Sequence, residues 1–220
     1  MLLCEIKSIQ SKLTGAKLIY DFNNNPKLKK IGSGYQAIAY DHVNKPNTIV
    51  KVIRIKKPYK TDPIIEFVQI CMDNQNNPFL PRIYTAKLYE INDSNNQNVL
   101  IITMEKLHPL TETTNLFDVS FDVFKQLRLF PDEEDTTHPF HDNWNDPSVE
   151  IRYDIIFEMF RDPRYREWLV NNTPNRQLAK AIRLLDYLFD KYNPDVHSDN
   201  IMFRLTSSGP QLVLMDPIII

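Results

Sequence analysis

The sequence predicts an α+β protein, with mostly antiparallel sheet in the first half and mostly helix in the second. Three observations carry that expectation. Short runs of branched apolar residues separated by polar turns fill residues 37–105. From Leu178 to Tyr192 the apolar residues recur at spacings of three and four. With 42% hydrophobic and 11% aromatic residues, the 220-residue chain can bury a core, in one large or two small domains.

The elements follow in order. Residues 1–27 read as a short helix or irregular lead-in, ended by the Asn23-Asn24-Asn25-Pro26 breaker. Ala37–His42 and Thr48–Arg54 flank Asn44-Lys45-Pro46-Asn47 and form a hairpin. Thr61-Asp62-Pro63 supplies a capping side chain and a first-turn proline for a helix to about Met72. Arg82–Ile91 and Val99–Glu105 are two further strands around a polar turn, Asn92 to Asn98. Phe117–Phe130 and Val149–Asn171 are expected to be helical, the second broken near Asp162-Pro163. Thr173-Pro174 is read as the cap and first position of the next helix, with its stripe of Leu178, Ala181, Ile182, Leu185, Leu188, Phe189 and Tyr192. Ile201–Arg204 and Leu212–Met215 form a last hairpin around Ser207-Ser208-Gly209-Pro210.

Composition excludes several classes. Lys and Arg total 26 against 28 acids, a net charge of −2, so no global field points to nucleic acid or an anionic membrane. Two cysteines make no disulfide framework and suit a reducing compartment. No run of 18 apolar residues predicts a membrane span, and the start lacks a secretory pattern, so a cytoplasmic location is expected.

Only four residues are glycine, and two stand one residue apart, as Gly32-Ser33-Gly34. In Ile31-Gly32-Ser33-Gly34 the absence of Cβ atoms would let backbone amides close over phosphate oxygens. An ordinary hairpin turn is the plainer explanation. Lys51 stands inside an apolar run, where a lysine either marks an edge strand or aims at phosphates. Glu66 is the only charged residue between Pro63 and Met72 and is costly there unless paired; Lys51 is the natural partner, a wet helix face the alternative. Asp195 and Asn200 lie five apart in Asp195-Val196-His197-Ser198-Asp199-Asn200. Such a loop can hold a carboxylate near a substrate hydroxyl and an amide oxygen on a metal ion. Asp216 ends an apolar strand, where hard cations such as Mg²⁺ are coordinated. Each has a blander explanation taken singly.

Their order is glycine turn, strand lysine, helix glutamate, D-x-x-x-x-N loop, strand-ending Asp. It resembles that of protein kinases, in which positioning and charge neutralisation do most of the work of phosphoryl transfer. The resemblance implies a bilobal protein-kinase-like fold. Residues 1–107 would form a nucleotide-binding lobe of sheet and one helix; residues 108–220 would form a reduced, mostly helical lobe. Ile101 to Leu107 is similar to the strand and hinge lining an adenine pocket, with Met104 as gatekeeper and the backbone at Glu105 to Leu107 binding adenine. ATP and Mg²⁺ are the implied cofactors, with Lys51 and Glu66 serving the phosphates and Asn200 and Asp216 the metal.

The loop departs from the eukaryotic form. Asn193-Pro194 replaces His-Arg, and His197 sits two residues after the aspartate, as in small-molecule kinases of the aminoglycoside and choline type. The run Asp195 to Phe203, followed by Met215-Asp216-Pro217, most resembles the small serine/threonine protein kinases of bacteriophages that shut off host transcription. That resemblance implies a host protein substrate in the bacterial cytoplasm, with no direct nucleic-acid binding. It covers about a quarter of the chain and does not reach residues 108–175. Asp216-Pro217-Ile218 replaces D-F-G, and no activation segment is expected after it. The acidic segment 131–147 could attract a basic substrate, though a solvated loop is blander. His138, His141 and Asp142 have metal-like residue types without the cysteines of a zinc site, and Ser33 is a conceivable self-modification site. Three classes stay open: protein kinase, small-molecule phosphotransferase, and a non-catalytic kinase fold that binds a host protein.

Overall fold

Alternating branched side chains in Thr48–Lys56 make a nine-residue strand, β4, whose two faces are both covered. Val50 and Val52 face one way, into a cluster with Tyr40, Ile91, Val99, Ile101 and Leu18. The period of two turns Ile49, Lys51, Ile53 and Ile55 to the other face. Ile53 and Ile55 are 2% and 0% exposed, and each such side chain contributes about 1.5–3 kcal/mol on burial.

The computed structural model describes residues 6–11, 14–34, 36–56, 62–91, 97–109, 126–127, 161–192 and 200–215. It is α+β, as the sequence predicts. β1 (Lys7–Ser11), β2 (Leu28–Ser33), β3 (Ala37–His42), β4, β5 (Ile83–Ile91) and β6 (Gln97–Glu105) form one sheet in the order β1-β5-β6-β4-β3-β2. All its pairings are antiparallel except β1 with β5. α1 (Gly15–Asn23), capped by Thr14, places Leu18 in the cluster around Tyr40. α2 (Pro63–Asp73) follows β4 and packs on β5. Its cap is Asp62, whose carboxylate accepts from the Ile64 N–H at 3.1 Å; burial pushes that carboxyl up against the lowering effect of the bond. The sheet is thus antiparallel but for β1, with α2 inserted between its third and fourth antiparallel strands.

By contacts the chain divides into two units, residues 1–75 with 81–106, and residues 76–80 with 107–220. The second unit holds β7 (His108–Pro109), α3 (Pro163–Asn172), α4 (Arg176–Lys191), β8 (Ile201–Thr206) and β9 (Gly209–Leu214). β7, β8 and β9 make a three-stranded antiparallel sheet. The stripe from Leu178 to Phe189 is buried as its spacing predicts, against α3. The two helices are joined through Arg166, 2% exposed. It donates to Asp186 and to the Arg161 carbonyl and lies 4.9 Å from the Phe189 ring.

The break expected at Asp162-Pro163 is present: Arg161 is helical, Asp162 is not, and α3 starts afresh at Pro163 with Asp162 accepting from the Arg164 N–H at 2.8 Å. Three expectations need correction. The lead-in contains β1 as well as a helix. α4 is capped by Asn175, whose side chain accepts from Gln177 and Leu178, while Thr173 closes α3. The last hairpin is longer at both inner ends, turning at Ser207-Ser208 with Gly209 at φ 110°, a conformation that favours glycine. The expected helix at Phe117–Phe130 falls almost wholly outside the described residues. So do the start of Val149–Asn171, the acidic segment, and the His138, His141 and Asp142 group.

Candidate functional site

In the first unit, register decides which side chains share a face. Gly32 pairs with Ala39, Ala39 with Lys51, and Lys51 with Ile102. Directly opposed residues project to the same side of a sheet. Gly32, Ala39 and Lys51 therefore form one row across three strands. Strands lie about 4.8 Å apart, so Lys51 starts roughly 10 Å from Gly32 with only the methyl of Ala39 between them. The β2–β3 register slips between Lys30 and Gly32, leaving Ile31 as the bulged residue, 48% exposed. The Gly34 N–H closes the hairpin on the Ala37 carbonyl at 2.8 Å.

Among the described residues nothing requires glycine at 32 or 34. Neither has positive φ, and a Cβ built on either meets no described atom within 4 Å. Ser33 is exposed on the same hairpin.

Lys51 and Glu66 are both half-buried, Lys51 mid-strand and Glu66 in the first turn of α2. Met104 is 2% exposed, between Ile49 and Ile83. Glu105 is a buried carboxylate that accepts from the Arg82 N–H at 2.8 Å, while its own N–H donates to the Arg82 carbonyl at 3.0 Å. The Lys106 N–H donates to the Asn47 carbonyl, and its ammonium pairs with Asp41 at 2.9 Å. Two of the three expected adenine-binding N–H groups are thus committed to the sheet. Leu107, 7% exposed, begins the second unit.

In the second unit Asn200 immediately precedes β8. Its carbonyl accepts from the Met215 N–H at 2.7 Å, and Ile201 pairs with Leu214. The hairpin therefore brings Asn200 beside Met215, whose sequence neighbour is Asp216. An amide oxygen and a carboxylate are hard donors that suit Mg²⁺. Asp195, His197 and Asp216 lie outside the described residues. No helix among the described residues is long and apolar enough to cross a membrane.

Ala39 as the small residue in the row, the Asp41–Lys106 pair and the buried Arg204 were missed from sequence. Only Ala39 has a local signal, as one of two alanines, with Ala37, in β3.

No family model and no curated protein matches the chain. Among solved structures, a crystal structure of the BubR1 kinase domain is similar with a TM-score of 0.38 and 13% identity. The similarity covers 98% of this chain and 53% of that one, so the chain spans about half its length. A likeness this weak bears on neither activity nor substrate.

Proposed function

We propose that this protein is an ATP-dependent phosphotransferase, a serine/threonine protein kinase of the phage type acting on host proteins. The observation that carries it is the row Gly32–Ala39–Lys51, which gives a lysine and a glycine turn a common face. The two glycines are compatible with it, since a Cβ at either would meet no described residue and the space beside them is open to a ligand.

Backbone at Gly32 to Gly34 would cover the phosphates of ATP. Lys51, with Glu66, would hold them from the sheet, and the Glu105 to Leu107 segment would face the base. Mg²⁺ held by Asn200 and Asp216 would offset phosphate charge. Asp195 would orient the acceptor hydroxyl and take its proton as the hydroxyl oxygen bonds to the γ-phosphorus. The bond from that phosphorus to the bridging oxygen breaks and ADP leaves. His197 would steady the loop or meet the transferred phosphoryl group.

Incubation with γ-labelled ATP, Mg²⁺ and a bacterial lysate tests this. Labelled proteins are expected, lost by about 100-fold or more in Asp195→Ala while nucleotide binding survives. Label on small molecules alone would assign a small-molecule kinase. No transfer would leave a kinase fold that binds without catalysis.

A further inference from the structure

α4 buries one stripe against α3 and turns the opposite face to solvent. At about 100° per residue, Arg176, Lys180, Arg183 and Tyr187 fall within about 60° of one another on that outer face. All four are exposed. The first three are cations at spacings of four and three, so they face like charges along the helix. None of the three forms an ion pair with a described residue. Within four residues of any of them in sequence the one acid is Asp186, and it takes its bond from the buried Arg166. Arg176 also opens the helix, at the end where the dipole favours acids, and the first turn contains none. Acids at 176 and 180 would suit α4 itself better, so helix stability gives no reason for the stripe. Tyr187 continues it, 59% exposed, with the Lys191 ammonium 5.7 Å from its ring.

We infer that the outer face of α4 is a docking surface for a short acidic polypeptide segment, whose neighbouring apolar side chain lies on Tyr187. Clustered arginines recognise acidic motifs because the guanidinium fork matches a carboxylate. Four residues of helix rise about 6 Å. Alternate side chains of an extended segment stand about 6.6 Å apart on one face. Glutamates at alternate positions can therefore meet Arg176, Lys180 and Arg183 in turn. A nucleic acid fits less well. The same face ends in Asp190, whose side chain is 73% exposed, and the whole chain carries a net charge of −2.

Fluorescence anisotropy tests this with a fluorescein-labelled peptide of three alternating glutamates followed by phenylalanine. The parent is expected to bind it, more weakly as salt rises. Arg176→Glu, Lys180→Glu and Arg183→Glu together should weaken binding by about 10-fold or more. Their melting temperature should be unchanged or higher, since the like-charge contacts at the cationic end are relieved by better-placed acids. Lys27, Lys45 and Lys87 are exposed elsewhere. Lys27→Glu, Lys45→Glu and Lys87→Glu together alter the net charge equally and should cost less than about twofold. Tyr187→Ala should weaken the phenylalanine peptide by roughly 3-fold and leave a glycine-ended one unaffected. The inference is overturned if the parent does not bind, or if the two triple variants weaken binding alike. Labelled oligothymidylate binding the stripe more tightly than the peptide would overturn it in favour of nucleic acid. A melting temperature several degrees lower in the stripe variant would overturn it too, because the cations would then be paired within the chain.

Discussion

Replacing Gly32 by alanine should make the protein more stable and a poorer nucleotide binder. Gly32 lies within β2, exposed, and an added Cβ meets no described atom within 4 Å. Its φ is not positive, so alanine can take the same backbone. Glycine inside a strand costs about 0.5–1 kcal/mol relative to alanine through the freedom it loses on folding. For a chain of this size that gain should raise the melting temperature by roughly 1–4 °C. Binding should move the other way. If the new methyl prevents one backbone N–H from reaching a phosphate oxygen, the loss is that of a charge-assisted hydrogen bond, about 1.5–3 kcal/mol. That corresponds to roughly 10- to 100-fold in affinity. A thermal melt followed by circular dichroism and a titration with a fluorescent ATP analogue in Mg²⁺ measure both on one sample. Unchanged affinity would refute the phosphate-covering role of the glycine turn. A fall of several degrees in melting temperature would refute the claim that the described residues make no demand for glycine there.

Two further outcomes concern the second unit. Arg166→Ala should cost about 3 kcal/mol in urea denaturation, the low end for breaking a buried ion pair. The reason is that Asp186 is 44% exposed and can rehydrate once its partner is gone. At Asp162, the hydrogen bond from the Arg164 side chain holds the carboxyl below the usual carboxylate range, its capping bonds adding to this. A lowered folded-state pKa contributes stability above the unfolded value, near 3.9, and that stability is lost as pH falls through the folded value. Asp162→Asn keeps the cap and drops the charge. The stability gap between parent and variant should therefore be widest at pH 6 and should close below about pH 4. A gap that widens on acidification would contradict this sign.

Sheet and helix were legible where the pattern was local and strong. β3 came out with its bounds as observed because Ala37–His42 is bounded by turn chemistry on one side and the glycines on the other. β1 was missed because Lys7–Ser11 carries a single apolar residue. It is held as an edge by parallel pairing to β5 and by the Ser8 and Gln10 side chains donating to Glu90, 80 or more residues away. The start of α4 was misplaced because Thr173-Pro174 has the look of a cap and first turn, whereas Asn175, two residues after Thr173, makes the capping bonds. In the site, residue types and spacing singled out Gly32, Gly34 and Lys51. Only register showed that Gly32 and Lys51 share a face. Arg204 left no trace in its neighbours, since its partners are carbonyls of residues 78 and 80, which any sequence could supply.

The placement of residues 76–80 in the second unit sets a timetable for synthesis. The carbonyls of Pro78, Phe79 and Leu80 are made well before their donors, Arg204 and Leu214, which follow about 125–135 residues later. At 5–20 residues per second that interval is roughly 6–27 s. Throughout it, Phe79 and Leu80 stay on a nascent chain without the hairpin that buries them. An N-terminal fragment ending near residue 106 would keep them so for good. Expressed alone, it should be a client of hydrophobic-binding chaperones, although its sheet could form without the rest.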